Sequence, residues 1–146
     1  AADLITPNQF ELGYLTERDV TDLDSTLAAV DAAREMGPST VLVTSVERPD
    51  APEDVMEMIA VDDKGKWIVR TPRLPFKRNG SGDVTAALFT GHYLRGGDAA
   101  DALARTASSV YNMLRLTHEA DSQELKLVEA QDYYANPQLQ FNVEAL

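Results

Sequence analysis

Cysteine is absent from this chain of 146 residues, which excludes a disulfide framework and any thiolate-held metal. Basic residues are scarce: 13 Lys and Arg stand against 24 Asp and Glu, a net charge of −11. A non-specific nucleic-acid binder needs the opposite balance to neutralise phosphates, so nucleic acid is not expected as a partner. A single anion can still be held by backbone N–H groups or through a metal ion. Long apolar runs are missing as well. The longest, around 41–43, is far too short to cross a bilayer, and no membrane partner is expected. The opening AADLITPNQF has no basic segment leading into an apolar one, so it does not read as a signal peptide. These absences fit a reducing cytosol, and cytoplasmic is the expected location. The first residue is Ala rather than Met, which points to a fragment or a processed chain. The only histidines, His92 and His118, lie far apart on helical patterns without a ligand at useful spacing. Both read as structural or surface residues rather than metal ligands.

What remains is an ordinary globular composition, 44% hydrophobic and 25% charged, enough for one domain with a core. Leu4 and Ile5 read as the end of a strand. Thr6, Pro7 and Gln9 then read as N-cap, first and third positions of a helix. Over 23–36 a helix places Leu23, Leu27, Val30 and Arg34 on one stripe and stops at Gly37. STVLVTSV at 39–46 is β-branched without clear alternation, as in a strand covered on both faces. Residues 48–54 read as a loop. Residues 55–70 read as a hairpin that turns at Asp63, Lys64 and Gly65 and puts Trp67 in a strand. The Pro-rich stretch 71–78 cannot be helix. After Asp83 the spacing of Val84, Ala87, Leu88 and Gly91 predicts a helix. RGGD at 95–98 ends that helix and caps the next, whose stripe is Ala99, Ala102, Leu103, Thr106, Val110, Met113 and Leu114. ELKLV at 124–128 reads as a last strand. Residues 131–137, with Tyr133 and Tyr134 as packing residues, read as a short helix or turn before an extended tail. The order is that of an α/β domain.

The chemistry concentrates in NGSGD at 79–83. Gly80 and Gly82 permit unusual backbone and close approach. The helix that follows points its free N–H groups and positive dipole end back at the loop. That is an anion hole, suited to charge that develops during phosphoryl transfer. Asp83 at the same helix start can accept the proton of an attacking hydroxyl. Taken alone, the stretch reads more simply as a turn with a helix-capping Asp.

Other segments change the balance. TPNQFE at 6–11, LT at 15–16, VLVTS at 41–45 and GSGD at 80–83 occur in that order, followed by AQD and NP within 130–137. In this combination the chain resembles the pyridoxal kinases of the ribokinase-like superfamily over nearly its whole length. GSGD by itself is shared with the sugar kinases of that superfamily; the other segments are narrower. The resemblance implies a three-layer ribokinase-like α/β fold. Residues 1–146 would form a single, incomplete ATP-binding domain, a C-terminal portion of the central sheet with flanking helices. It implies phosphorylation of the 5′-hydroxyl of pyridoxal, pyridoxine or pyridoxamine by Mg²⁺–ATP. Asp83 would be the catalytic base, and Gly80, Ser81 and Gly82 the anion hole. Asn8 and Glu11 would help position Mg²⁺–ATP, Glu11 through water. Thr44 and Ser45 would contact the ATP phosphates. Residues 70–78 would lie over the nucleotide and 107–111 would wall the adenine side. A monovalent cation stays an open question, and a homodimer is implied for the full-length parent. Members of this family are longer, and their N-terminal half supplies most of the vitamin pocket.

Each residue also has a plain reading. Asn8 and Glu11 suit any exposed first helical turn, and Thr44 and Ser45 suit any strand end. It is their joint occurrence that favours a kinase. Two alternatives stand beside the vitamin B6 kinase. One is a related kinase for hydroxymethylpyrimidine or a sugar. The other is an inactive nucleotide-binding fragment that needs its N-terminal half, its open sheet edge inviting another chain to pair.

Overall fold

The computed structural model describes residues 3–49, 51–73, 81–119 and 139–146, with the backbone alone at Ser81. The strand read at 124–128, the turn at 131–137, Gly80 and residues 74–78 lie outside the described residues. Among the described residues nine elements follow one another: β1 (Leu4–Ile5), α1 (Gln9–Thr16), α2 (Leu23–Glu35), β2 (Thr40–Val46), β3 (Val55–Asp62), β4 (Gly65–Pro72), α3 (Ser81–Gly96), α4 (Ala99–Glu119) and β5 (Val143–Ala145). The strands form one sheet in the order β1-β2-β3-β4-β5. β1 and β2 run parallel, with Leu4 opposite Thr40 and Ile5 opposite Val41. The β3–β4 hairpin is antiparallel and in register from Val55–Pro72 to Asp62–Gly65. Its turn is fixed by Asp62 Oδ1, which accepts from the N–H groups of Lys64 (2.8 Å) and Gly65 (3.3 Å). The tail returns as β5, pairing Val143 with Val69 and Ala145 with Trp67.

Alternate side chains on each strand point to opposite faces, and both faces are covered. Val41, Val43, Ile59, Val61 and Ile68 meet Leu12 of α1 and Ala29, Val30 and Ala33 of α2. Leu42, Met58, Ala60 and Val69 meet Phe89 of α3 and Ala99, Ala102, Leu103 and Ala107 of α4. The molecule is therefore a three-layer α/β sandwich, and double coverage explains why β2 shows no polar alternation over 40–43.

Most predicted boundaries hold. Gly37 adopts φ 142° just past α2. Gly97, at φ 68°, closes α3 by donating to the Tyr93 carbonyl at 2.7 Å. Asp98 then caps α4, its Oδ1 accepting from the N–H groups of Ala100 and Asp101 at 2.9 and 3.2 Å. The first helix differs from expectation. Its N-cap is Asn8 rather than Thr6, and a full capping box joins Asn8 to Glu11. The Pro7 carbonyl is taken by the Thr44 N–H at 3.1 Å, so the chain at Pro7 still belongs to the sheet. None of the described helices is long and apolar enough to cross a membrane.

Candidate active site

The expected site residues come from three segments, and the sheet decides where each segment ends. Because β1 and β2 are parallel, their carboxyl ends open on the same edge. Leaving β1, the chain passes Thr6 and Pro7 and enters α1 at the Asn8 cap. Asn8 Oδ1 accepts from Glu11 N at 2.7 Å, and Glu11 Oε1 accepts from Asn8 N at 3.0 Å. The two expected ATP-positioning residues are thus locked to each other. Thr44 and Ser45 lie beside them at the end of β2, half-buried, where the β2–β3 register shifts between Val43 and Val46. Such irregularities re-aim side chains and free polar groups from the ladder.

The third segment reaches this edge through α3. Tyr93, near its C-terminal end, bonds Thr40 Oγ1 at 3.1 Å, at the start of β2. The Tyr93 hydroxyl also donates to Asp62 Oδ2 at 3.1 Å. One helical stretch earlier, Phe89 stacks on Tyr93 (ring centroids 5.7 Å apart) and packs with Leu42. The helix therefore runs back along β2 from Tyr93 toward Ser81. Ten helical residues separate Tyr93 from Asp83, about 15 Å at the α-helical rise. Four strand residues separate Thr40 from Thr44, about 13 Å. The start of α3 and the end of β2 are thereby brought to the same edge of the sheet. Asp83 lies in the first turn of α3 and is exposed. A Cβ added at Gly82 would meet nothing within 4 Å, so packing gives no reason for glycine there. Gly80 lies outside the described residues, and of Ser81 only the helical backbone is described.

Two further groups at this edge escaped the sequence reading. Gln9 joins α1 to the chain just past β2: its Oε1 accepts from Glu47 N at 2.7 Å, and its Nε2 donates to Glu47 O (3.0 Å) and Val20 O (2.9 Å). Glu57, 1% exposed, accepts from Arg48 Nε (2.7 Å) and Nη2 (3.0 Å) and from Arg70 Nε (2.7 Å). Its carboxyl is held below the ordinary range mainly by the Arg48 bonds, which outweigh the opposing effect of burial, with Arg70 adding to them. Arg70 continues to Glu144 on β5 at 3.0 Å. An open groove of about 610 Å³ runs along α1, lined among others by Asn8, Tyr14, Arg18, Ser45 and Glu47. The stretch 107–111 is packed rather than open. Ala107, Ser108 and Ser109 are buried, Ser108 Oγ accepts from Gln140 N at 3.0 Å, and Tyr111 meets Phe141 edge-on at 5.1 Å. Among the described residues, no three His, Cys, Asp or Glu side chains converge as a metal cage. His92 is buried and His118 exposed, as structural and surface residues would be.

Known proteins resemble this chain in sequence and in fold. The family model described as phosphomethylpyrimidine kinase matches residues 1–127. The chain is 68% identical over 142 residues to pyridoxal kinase PdxY of Leifsonia xyli, covering 97% of this chain and 50% of that protein. It is 63% identical to pyridoxal kinase PdxY of Corynebacterium diphtheriae, over 99% of this chain and 51% of that one. Among solved structures, pyridoxal kinase from Leishmania donovani in complex with ADP superposes with a TM-score of 0.88 at 23% identity, covering 99% of this chain and 51% of the other. A putative phosphomethylpyrimidine kinase from Bacteroides thetaiotaomicron gives 0.87 at 25% identity, over 99% and 52%. The chain spans about half the length of the curated relatives it matches. With its three-layer sheet and its ordered N-x-x-E, V-T-S and G-S-G-D segments, this chain belongs to the phosphomethylpyrimidine kinase family, the family model covering most of its length.

Proposed function

We propose that this chain is the ATP-binding half of a kinase that phosphorylates the 5′-hydroxyl of a B6 vitamer: pyridoxal, pyridoxine or pyridoxamine. What supports the reading is the Asn8–Glu11 box beside the end of β2, on the sheet edge toward which α3 runs from Tyr93. Ligands of open α/β sheets sit beyond the carboxyl ends of strands. In this reading the vitamer oxygen attacks the γ-phosphorus of ATP as its proton passes to the Asp83 carboxylate. The bond from the γ-phosphorus to the β–γ bridging oxygen breaks, and ADP leaves. The first N–H groups of α3, with Gly80, Ser81 and Gly82, face the charge that spreads over the transferring group. The open space at Gly82 leaves room for a phosphoryl group against the backbone. Thr44 and Ser45 bind the nucleotide phosphates, and Asn8 orients them. Mg²⁺ supplies charge neutralisation of the phosphates. One carboxylate, Glu11, and no protein cage among the described residues fit an ion held mainly by phosphates and water. A homodimer and a cytoplasmic location belong to the same reading.

A second reading keeps the chemistry and changes the acceptor to hydroxymethylpyrimidine. The matching family model and the Bacteroides neighbour favour it. The test is ATP-dependent phosphorylation of pyridoxal and of hydroxymethylpyrimidine by the full-length parent, wild type and Asp83→Asn. Asp83→Asn should lower kcat by about a hundredfold or more, the usual worth of a general base, with ATP affinity unchanged. Near wild-type kcat in the mutant would sink the base assignment. Turnover of the pyrimidine alone would transfer the assignment to the second reading.

A further inference from the structure

We propose that Gln9 is a positioning residue for the nucleotide: its side-chain amide continues the β1–β2 ladder after β1 has ended, and so fixes where Thr44 and Ser45 stand. The proposal rests on the phosphotransferase reading. β1 contributes only Leu4 and Ile5, opposite Thr40 and Val41. The Pro7 carbonyl adds one more bond, from Thr44 N at 3.1 Å. Beyond Pro7 the chain turns into α1, and its backbone no longer follows β2. The next chain group met by this flank of β2 is a side chain. Gln9 Oε1 accepts from Glu47 N, and Gln9 Nε2 donates to Glu47 O. In a parallel neighbour the same two bonds would come from the peptide groups on either side of one residue. The second Nε2 hydrogen goes to Val20 O at 2.9 Å, which ties in the connection between α1 and α2.

On its other flank β2 is loosely specified at this point, because its register with β3 shifts between Val43 and Val46. Thr44 and Ser45 are therefore held chiefly from the α1 side, by Pro7 before them and Gln9 after them. Gln9 also follows the Asn8 cap directly and lies in the same helical turn as Glu11. One amide thus sets the distance between the Asn8–Glu11 pair and the Thr44–Ser45 pair. The chemistry demands this side chain. Glu is the same length but, when ionised, has no donor; Asn has the amide but is one methylene short; Met has the length and neither function.

The experiment uses the full-length parent with Gln9→Met and Gln9→Glu, the second as an isosteric variant should the first fold poorly. Amide hydrogen exchange at Glu47 should accelerate about tenfold or more, the worth of roughly one hydrogen bond, while exchange at Ile59 in the core of β3 stays unchanged. KM for Mg²⁺–ATP should rise about tenfold with KM for the acceptor unchanged. Unchanged exchange at Glu47 would mean that the amide pairing is not made, which overturns the proposal. Faster exchange with an unaltered KM for ATP would make Gln9 a purely structural clamp, which also overturns it. A wild-type parent with no phosphotransferase activity removes the underlying reading instead. In that case ATP affinity of the variants, measured directly, still decides whether Gln9 positions the nucleotide.

Discussion

Glu57 shows how much one buried side chain can hold together. Its carboxylate collects guanidinium groups from Arg48 and Arg70, which are 12% and 35% exposed, and Arg70 reaches on to Glu144. Removing one partner of such an arrangement leaves the others as uncompensated charge. Glu57→Gln should therefore lower unfolding free energy by about 3 kcal/mol, read from urea denaturation. Glu144→Gln, whose ion pair is open to solvent, should cost less than about 1 kcal/mol. Equal effects from the two would contradict the inner position of Glu57. None of this was legible in the sequence. Glu57 stands alone in an apolar strand, and its partners are 9 and 13 residues away. Gln9 was hidden for the same reason, since its contacts lie 11 and 38 residues on. Asp83, Asn8 and Glu11 were singled out by the motifs they sit in, and the structure puts each of them at a helix start.

At the scale of elements, local signals worked wherever one segment supplied both the end and its cap. RGGD carries the αL glycine that closes α3 and the Asp that opens α4. Asp98→Ala should cost about 1 kcal/mol, seen as a lower midpoint in thermal or urea unfolding, and Asp98→Asn should restore most of it. An Ala variant as stable as wild type would mean that water replaces the cap without loss. The start of α1 was misread because T-P-N-Q-F-E offers two overlapping starts, Thr6 with Gln9 and Asn8 with Glu11. Tertiary bonds choose between them: the Pro7 carbonyl and the Gln9 amide are both engaged with the β2 segment. The α/β order and the hairpin were readable from periodicity and turn residues. The pairing of the tail with β4 was not, because Val143 and Ala145 meet Val69 and Trp67 from the far end of the chain.

For the molecule as a whole, acid should act in two stages. His92 is 8% exposed, and its Nε2 has no hydrogen-bond partner among the described residues. Burial, with the charges of Arg105 and Arg95, lowers its pKa against a smaller opposing effect of Asp101. The fold thus favours neutral His92; its contribution is intact above about 6.5 and lost as pH falls through the lowered value. The carboxyls of Glu57 and of Asp22, the latter held down by bonds from Ser25, are lowered too. Their contribution is present above the ordinary carboxylate range and lost as pH falls through their own lowered values. Urea midpoints measured from pH 8 to pH 3 should be level at first, decline below about 6.5, and decline again in the carboxylate range. His92→Leu should remove the first decline and leave the second. A wild-type profile level down to pH 5 would contradict the burial of that imidazole. The same architecture sets a length as well as a stability. With Tyr93 fastened beside Thr40, the helix from there to Asp83 acts as a ruler laid along β2. One residue inserted within it would turn the carboxylate by about 100° and move it about 1.5 Å. On the proposed reading of Asp83 as the base, the number of residues in that interval is therefore fixed.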